Sequence, residues 1–179
     1  MTPEERRQKA REIIDSFPQK SSAVIPLLHL WQDSEGYLSD ASVAEVADVM
    51  GMPAAEVQEV VSFYSMFRRR PLGRYRIEVC KSLSCALCGA HDVIERLKEH
   101  LGVELGEPTP DGLFSVSAVE CLARCDLAPV AQVNLRYTDR LTPESALALV
   151  EELRREAAAR PGLSQAGLRP NGRDGFPKT

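Results

Sequence analysis

The chain has 179 residues, of which 44% are hydrophobic and 27% are charged, and its formal net charge at pH 7 is −4. This length and composition predict an ordered globular protein with one sizeable domain or two small ones. The acidic balance argues against binding to nucleic acids or anionic membranes through overall charge, because such binding needs basic surfaces.

No apolar stretch reaches the ~20 residues that a membrane-spanning helix needs. The first seven residues, MTPEERR, contain acidic side chains and no apolar segment, so they resemble neither a secretory signal nor a transit peptide. We therefore expect a cytoplasmic protein. In that reducing compartment, five cysteines indicate metal or redox chemistry instead of structural disulfides.

Residues 1–70 show apolar residues at helical spacing, interrupted by turn residues, and four helices are expected there. Capping and stop signals mark their ends. The expected boundaries are Thr2 to about Phe17, Ser21 or Ser22 to Gly36, Ser39 or Asp40 to Met50, and Pro53 to about Tyr64. The segment 68–73, three arginines followed by Pro-Leu-Gly, is the expected linker.

From Arg74 the period changes to two, and the alternation of Tyr75, Ile77 and Val79 with charged residues predicts a half-buried strand. The expected later elements are a helix over 87–101, strands over 113–119 and 129–134, a short strand around 137, and a helix from Thr142 to Pro161. This order predicts a small α/β layer and is compatible with a thioredoxin-like topology, although pattern alone does not fix the strand order.

The cysteines fall into two pairs that each follow a predicted strand. Cys80 and Cys85 have C-x4-C spacing, and Cys121 and Cys125 have C-x3-C spacing. A [2Fe-2S] cluster needs four thiolates on loops that approach closely. Two short-spaced pairs meet this need if the two strands are neighbours in the sheet.

Other partitions of the cysteines remain open at this point. Four thiolates also suit a structural zinc ion, although zinc ribbons favour C-x2-C and neither pair has that spacing. Cys88 creates a plant-type ferredoxin spacing with Cys80 and Cys85, and Cys85-Ala-Leu-Cys88 resembles a thioredoxin-like redox pair. Both readings strand cysteines elsewhere, so Cys88 is interpreted as a spare residue.

Other potential sites are weaker. His29, His91 and His100 lie on predicted helices without paired spacing, and ordinary side chains are expected there. The chain contains neither a dinucleotide-binding nor a P-loop glycine motif. The helices on either side of Gly51 superficially match a helix-turn-helix, but residues 53–62 contain two glutamates and no basic residue, which argues against DNA recognition.

Beyond the cysteines, many blocks in order along residues 1–157 resemble one family. They include Ile25-Pro-Leu-Leu, Gln32, Gly36-Tyr-Leu, Ser62-Phe-Tyr, Pro71-Leu-Gly-Arg-Tyr, Gly89-Ala, Pro110-Asp-Gly-Leu-Phe-Ser-Val, Ala128-Pro-Val, Val133-Asn, Tyr137 and Leu141-Thr-Pro-Glu. In these the chain resembles the small thioredoxin-like [2Fe-2S] subunit of the NADH-oxidising arm of respiratory complex I. Related subunits occur in NAD-linked hydrogenases and formate dehydrogenases.

The resemblance implies an α+β protein with an N-terminal helical bundle (1–72), a thioredoxin-like α/β domain that carries the cluster (73–160) and a tail (161–179) outside the likeness. It implies that Cys80, Cys85, Cys121 and Cys125 bind one [2Fe-2S] cluster, whereas Cys88 is not a ligand.

The implied role is that of an electron-transfer subunit of NADH-quinone oxidoreductase without a complete active site of its own. FMN and NADH would be bound by a partner flavoprotein subunit, and other peripheral-arm subunits would be further partners. The complex would lie at the cytoplasmic face of the membrane. The aromatic residues Phe63, Tyr64 and Phe67 are expected to serve either as docking surface or as core.

Overall fold

The computed structural model describes residues 1–160, and the predicted tail 161–179 and the helix end at Pro161 lie outside this range. The chain divides into two compact units, of which one is Met1–Pro71 and the other begins at Leu72. The first is helical and the second mixes helices with a sheet. No helix within 1–160 combines the length and the apolar character that crossing a membrane would require.

The first unit contains four helices: α1 (Pro3–Asp15), α2 (Val24–Glu35), α3 (Asp40–Met50) and α4 (Ala54–Phe63). The capping box at Thr2 forms as expected: the Thr2 hydroxyl accepts from the Glu5 amide, and the Glu5 carboxylate accepts from the Thr2 amide. Gly36 and Gly51 end α2 and α3 in the left-handed conformation that glycine adopts without strain.

Two boundary predictions in this unit are wrong. Neither Ser21 nor Ser22 caps α2, because both lie in a 3-10 turn, Lys20–Ala23, that runs into the helix without a side-chain cap. The first helix ends at Asp15 instead of Phe17, and Ser16 closes it by bonding back to Ile13.

The helical unit has its own apolar core, in which Leu27, Leu28, Trp31, Val46 and Val57 are fully buried. A buried amide also connects its elements. The Gln32 side chain donates to the Met66 carbonyl at 3.1 Å and accepts from the Arg68 amide at 2.7 Å. These two bonds fasten the segment after α4 onto α2.

The second unit contains β1 (Tyr75–Cys80), α5 (Leu83–Leu87), α6 (Ala90–Leu101), β2 (Phe114–Val119), β3 (Ala131–Val133), β4 (Arg136–Thr138) and α7 (Pro143–Ala159). The predicted helix over 87–101 is wrong at its start. Cys88 and Gly89 interrupt it, and Gly89 takes a positive φ of 93° that separates α5 from α6.

The strands lie in the order β2-β1-β3-β4. β1 and β2 are parallel, while β3 pairs antiparallel with both β1 and β4. The alternation predicted for β1 is correct, since Tyr75, Ile77 and Val79 are fully buried. They share one apolar core with residues of α6 and α7. Cys80 therefore lies at the end of a strand that is well fixed by its neighbours.

Candidate iron–sulfur site

Cys80 and Cys85 lie at the carboxyl end of β1, where the chain turns into α5. Cys80 is the last residue of the strand and Cys85 lies within the short helix, and both are buried. Their thiols are within hydrogen-bonding contact. The turn formed by the four intervening residues therefore brings the first pair of sulfurs together.

Cys121 and Cys125 lie in the loop that follows β2, and both are exposed. Their Sγ atoms are 3.9 Å apart. Ala123 is the middle one of the three residues between them, and its amide donates to the Sγ of Cys121 at 3.3 Å. Ala123 adopts a positive φ of 59°, which lets the loop curl back so that both thiols meet.

The two pairs approach one another. Cys125 interacts electrostatically with Cys80 and Cys85, and its thiol also contacts the Ser84 hydroxyl on α5. The reason lies in the sheet, because parallel neighbours β1 and β2 end at the same edge. The condition set by the sequence, that the two preceding strands be adjacent, is therefore met.

The environment divides the thiols in their readiness to ionise. Burial acts against the thiolate of Cys80, but backbone hydrogen bonds from Ser82 and Leu122 and a bond from Cys85 outweigh it, so its pKa is lowered. Burial raises the pKa of Cys85, and the Cys80 sulfur adds to this rise. The hydrogen bond with Cys121 raises the pKa of Cys125. Thiolates at these positions would repel one another, and bound metal ions relieve such repulsion.

The geometry of these residues fits a [2Fe-2S] cluster. Two thiolates on one tetrahedral metal at bonds of about 2.3 Å lie about 3.8 Å apart, and the Cys121–Cys125 distance of 3.9 Å agrees. Within residues 1–160, no three His, Cys, Asp or Glu side chains are arranged around a single point to hold one ion. The two pairs would supply the two thiolates that each iron of a [2Fe-2S] cluster takes.

Cys88 lies apart from this arrangement. It follows the last residue of α5, is exposed, and precedes the start of α6. Its amide donates to the Ser84 carbonyl at 3.1 Å. In the described part of the chain, the thiol–thiol interactions connect the other four cysteines and leave Cys88 out.

Two basic side chains next to the cysteines are paired with carboxylates. Lys81 Nζ lies 3.2 Å from Glu120, and the Arg124 guanidinium donates to Asp139 at 2.7 Å. Asp139 and Ser84 were not predicted from the sequence, because their proximity to the cysteines depends on how the chain after β4 and α5 fold back toward the cysteine loop.

The aromatic residues of the helical unit separate into two environments. Phe67 is buried in the core of that unit, with its ring centroid 5.1 Å from that of His29. Phe63 is the last residue of α4 and is exposed, and its ring centroid lies 5.0 Å from that of Tyr64 in an edge-on contact. Phe67 is therefore core and Phe63 is free to serve as docking surface.

Comparison with known sequences shows extensive similarity. Residues 10–154 match the family described as thioredoxin-like [2Fe-2S] ferredoxin. The chain is 45% identical over 166 residues to a subunit of NADH-quinone oxidoreductase from Mycobacterium tuberculosis, covering 92% of this chain. It spans 66% of that relative's length.

A second relative, an NADH-quinone oxidoreductase subunit from Rhizobium meliloti, is 36% identical over 164 residues and matches 87% of this chain and 98% of its own. Among solved structures, an NAD+-reducing [NiFe]-hydrogenase chain superposes with a TM-score of 0.64 at 24% identity. That match covers 76% of this chain and 24% of the hydrogenase chain, and it shows the fold alone.

Proposed function

Because the chain belongs to the thioredoxin-like [2Fe-2S] ferredoxin family and so carries one [2Fe-2S] cluster, we propose that it is the electron-transfer subunit of an NADH-quinone oxidoreductase. The cluster supplies one-electron transfer. The observation that carries the proposal is the meeting of two cysteine pairs at one edge of the sheet, in a chain related over most of its length to such subunits.

The proposed ligands are Cys80, Cys85, Cys121 and Cys125. The buried pair lies at the turn between β1 and α5, and the exposed pair lies in the neighbouring loop after β2. A cluster held by these four cysteines would have two buried ligands and two ligands at the surface. A surface position suits electron exchange with another protein.

The proposed electron partner is a flavoprotein subunit that binds FMN and NADH, with other peripheral-arm subunits completing the complex at the cytoplasmic face of the membrane. Leu83 and Leu87 support a docking surface at the cluster. They lie on either side of Cys85 on α5 and are 75% and 80% exposed. Large apolar side chains left in water beside a redox centre are typical of an interaction site.

The organisation proposed for the chain is a helical bundle over 1–72 followed by the cluster domain over 73–160. The helical part would add docking surface through Phe63, which is exposed at the end of α4. The family resemblance leaves the equivalent subunit of an NAD-linked hydrogenase or formate dehydrogenase as an alternative. The relatives with higher sequence identity carry the NADH-quinone oxidoreductase name, which favours the first assignment.

Electron paramagnetic resonance of the anaerobically purified, dithionite-reduced protein tests the proposal, together with metal and sulfide analysis. We expect a brown protein with two irons and two acid-labile sulfides per chain and a reduced [2Fe-2S] signal. A colourless protein with stoichiometric zinc would contradict it. Identification of the chains that co-purify with the native complex distinguishes the quinone oxidoreductase from the hydrogenase and formate dehydrogenase alternatives.

A further inference from the structure

The loop that carries Cys121 and Cys125 is attached to the β3–β4 hairpin by one tyrosine. The Tyr137 hydroxyl on β4 donates to the Leu122 carbonyl at 3.1 Å. The guanidinium carbon of Arg124 lies 4.8 Å from the centroid of the Tyr137 ring, within the range of a cation–π contact. The same ring therefore holds the loop at two points between the two cysteines.

Asp139 completes the attachment. Its Oδ2 accepts from the Arg124 guanidinium at 2.7 Å, in an ion pair whose side chains are 36% and 29% exposed. Arg124 is thus held by two contacts, one with the ring of Tyr137 and one with the carboxylate of Asp139. We refer to Tyr137, Arg124 and Asp139 as the hairpin clamp.

The backbone that the clamp holds is the backbone that donates to sulfur. The Leu122 amide hydrogen-bonds to Cys80, and the Ala123 amide donates to the Sγ of Cys121 at 3.3 Å. Ala123 is in the left-handed region at φ 59°, a strained conformation for a non-glycine residue that persists only where its surroundings impose it. The clamp contacts the residues on both sides of Ala123, which are Leu122 and Arg124.

We propose that Tyr137, with Arg124 and Asp139, is a positioning residue that keeps the amides of Leu122 and Ala123 directed at the ligand sulfurs. Hydrogen bonds to the sulfurs are among the factors that set the reduction potential of an iron–sulfur cluster. They favour the reduced cluster, which carries one more negative charge, so the clamp raises the potential. It also slows loss of the cluster. The inference rests on the proposed ligand set.

The clamp contributes little to the stability of the fold itself. Tyr137 is exposed, and the ion pair is partly solvated, a class of contact that adds little to stability. Its effect on the cluster can therefore be measured without unfolding the domain. A role in general packing would change thermal stability first, whereas a positioning role changes the potential first.

Tyr137→Phe is the decisive variant, because it removes the hydroxyl and keeps the ring beneath Arg124. Asp139→Ala releases Arg124 and serves as a second, independent variant. Tyr75→Phe is the matched control. Its phenol is buried without a hydrogen-bond partner among the described residues, at the opposite end of β1 from Cys80, about 16 Å away along the strand.

Each full-length protein is loaded with its cluster, and its midpoint potential is determined by redox titration followed by paramagnetic resonance. Cluster loss to a chelator is timed and thermal unfolding is recorded. We expect a more negative potential and severalfold faster cluster loss in Tyr137→Phe and Asp139→Ala, with unfolding temperatures near that of the wild type. Tyr75→Phe should match the wild type in potential and in cluster loss.

A wild-type potential and loss rate in Tyr137→Phe would overturn the positioning role while leaving the proposed function intact. A shift of equal size in Tyr75→Phe would also overturn it, since the effect would then not depend on the loop. If the wild-type chain itself takes up no [2Fe-2S] cluster, the proposed function fails first, and the clamp fails with it.

Discussion

Cys80 and Val119 are paired in register as the last residues of the parallel strands β1 and β2. The chain leaves both strands at the same edge of the sheet, and Cys121 comes two residues after Val119. Because the register fixes both departures, two cysteine pairs 35 residues apart in sequence meet without a long loop to bring them together. The site is a consequence of the strand pairing.

Gly73 is expected to be indispensable for that pairing. A methyl group on its Cα would overlap the backbone of Phe114, the first residue of β2. Gly73→Ala must push the strands apart where they begin. We therefore expect the free energy of unfolding to fall by about 3 kcal/mol, at the upper end of the range for overpacking. Calorimetry or hydrogen exchange of the β1 and β2 amides measures the change.

Gly102→Ala is the control for this variant. Gly102 ends α6 with φ 65° and has open space around its Cα, so an added methyl meets no neighbour. Only the left-handed backbone opposes it, at about 1 to 2 kcal/mol. Equal losses in the two variants would show that the close approach at Gly73 does not matter.

Arg6 organises a polar cluster within the helical unit. It is buried, pairs with Glu35 and with Glu45 at 2.7 Å, and lies 4.8 Å over the Trp31 ring. Arg6→Ala leaves two carboxylates without their cation. We expect the free energy of unfolding to fall by about 2 kcal/mol. This is below the range for fully buried pairs because both carboxylates keep partial contact with water.

Urea unfolding followed by fluorescence of Trp31, the one tryptophan in the sequence, measures this loss in the helical unit. The exposed neighbour Arg7 provides the control, and Arg7→Ala should change the free energy of unfolding by no more than about 0.5 kcal/mol. If both variants unfold at the same urea concentration as the wild type, the cluster contributes nothing to stability.

Glu45 should make the helical unit sensitive to acid. A hydrogen bond from the Trp31 indole lowers the pKa of Glu45 first, burial opposes this, and the charge of Arg6 lowers it further. A carboxyl whose pKa is depressed by folding stabilises the native state above the unfolded value of about 4.3, and this contribution disappears as the pH falls through the folded value.

Glu45→Gln removes this titration. The free energy of unfolding of the variant, followed by Trp31 fluorescence from pH 7 downward, should therefore fall less steeply below about pH 4.3 than that of the wild type. Curves of identical slope would show that Glu45 titrates alike in both states.

Leu87 tests where the partner binds. It is exposed beside the proposed ligands, and Leu87→Glu should weaken binding to the purified flavoprotein subunit by at least about tenfold, or about 1.4 kcal/mol. Leu105→Glu is the control, because Leu105 is also exposed but follows the far end of α6, about 17 Å from the helix start. Unchanged affinity in Leu87→Glu would move the docking surface elsewhere.

Much of this organisation could be predicted from local sequence signals. The capping box at Thr2, the helix ends at Gly36 and Gly51 and the alternation in β1 each depend on a few neighbouring residues, and each forms as expected. The break at Gly89 was missed because the helix defined by the apolar spacing of Ala90, Ile94 and Leu97 was extended back to Leu87, and the backbone conformation of Gly89 reveals the interruption.

The site was predictable in its cysteines and unpredictable in its surroundings. Spacing after two strands identified the pairs, but the contacts of Asp139 and Tyr137 with the cysteine loop depend on the antiparallel pairing of β3 with β4. That pairing brings residues 15 positions downstream back onto the loop, and no local pattern in the sequence records it.

The iron and sulfide content of two cysteine variants tests the central claim most directly. Cys88→Ala should keep two irons, two sulfides and the reduced resonance signal, because Cys88 lies outside the interacting sulfurs. Cys121→Ala should lose the cluster or hold it so weakly that it is lost on purification. A Cys88→Ala protein without the cluster, or a Cys121→Ala protein that keeps it intact, would contradict the assignment of Cys80, Cys85, Cys121 and Cys125.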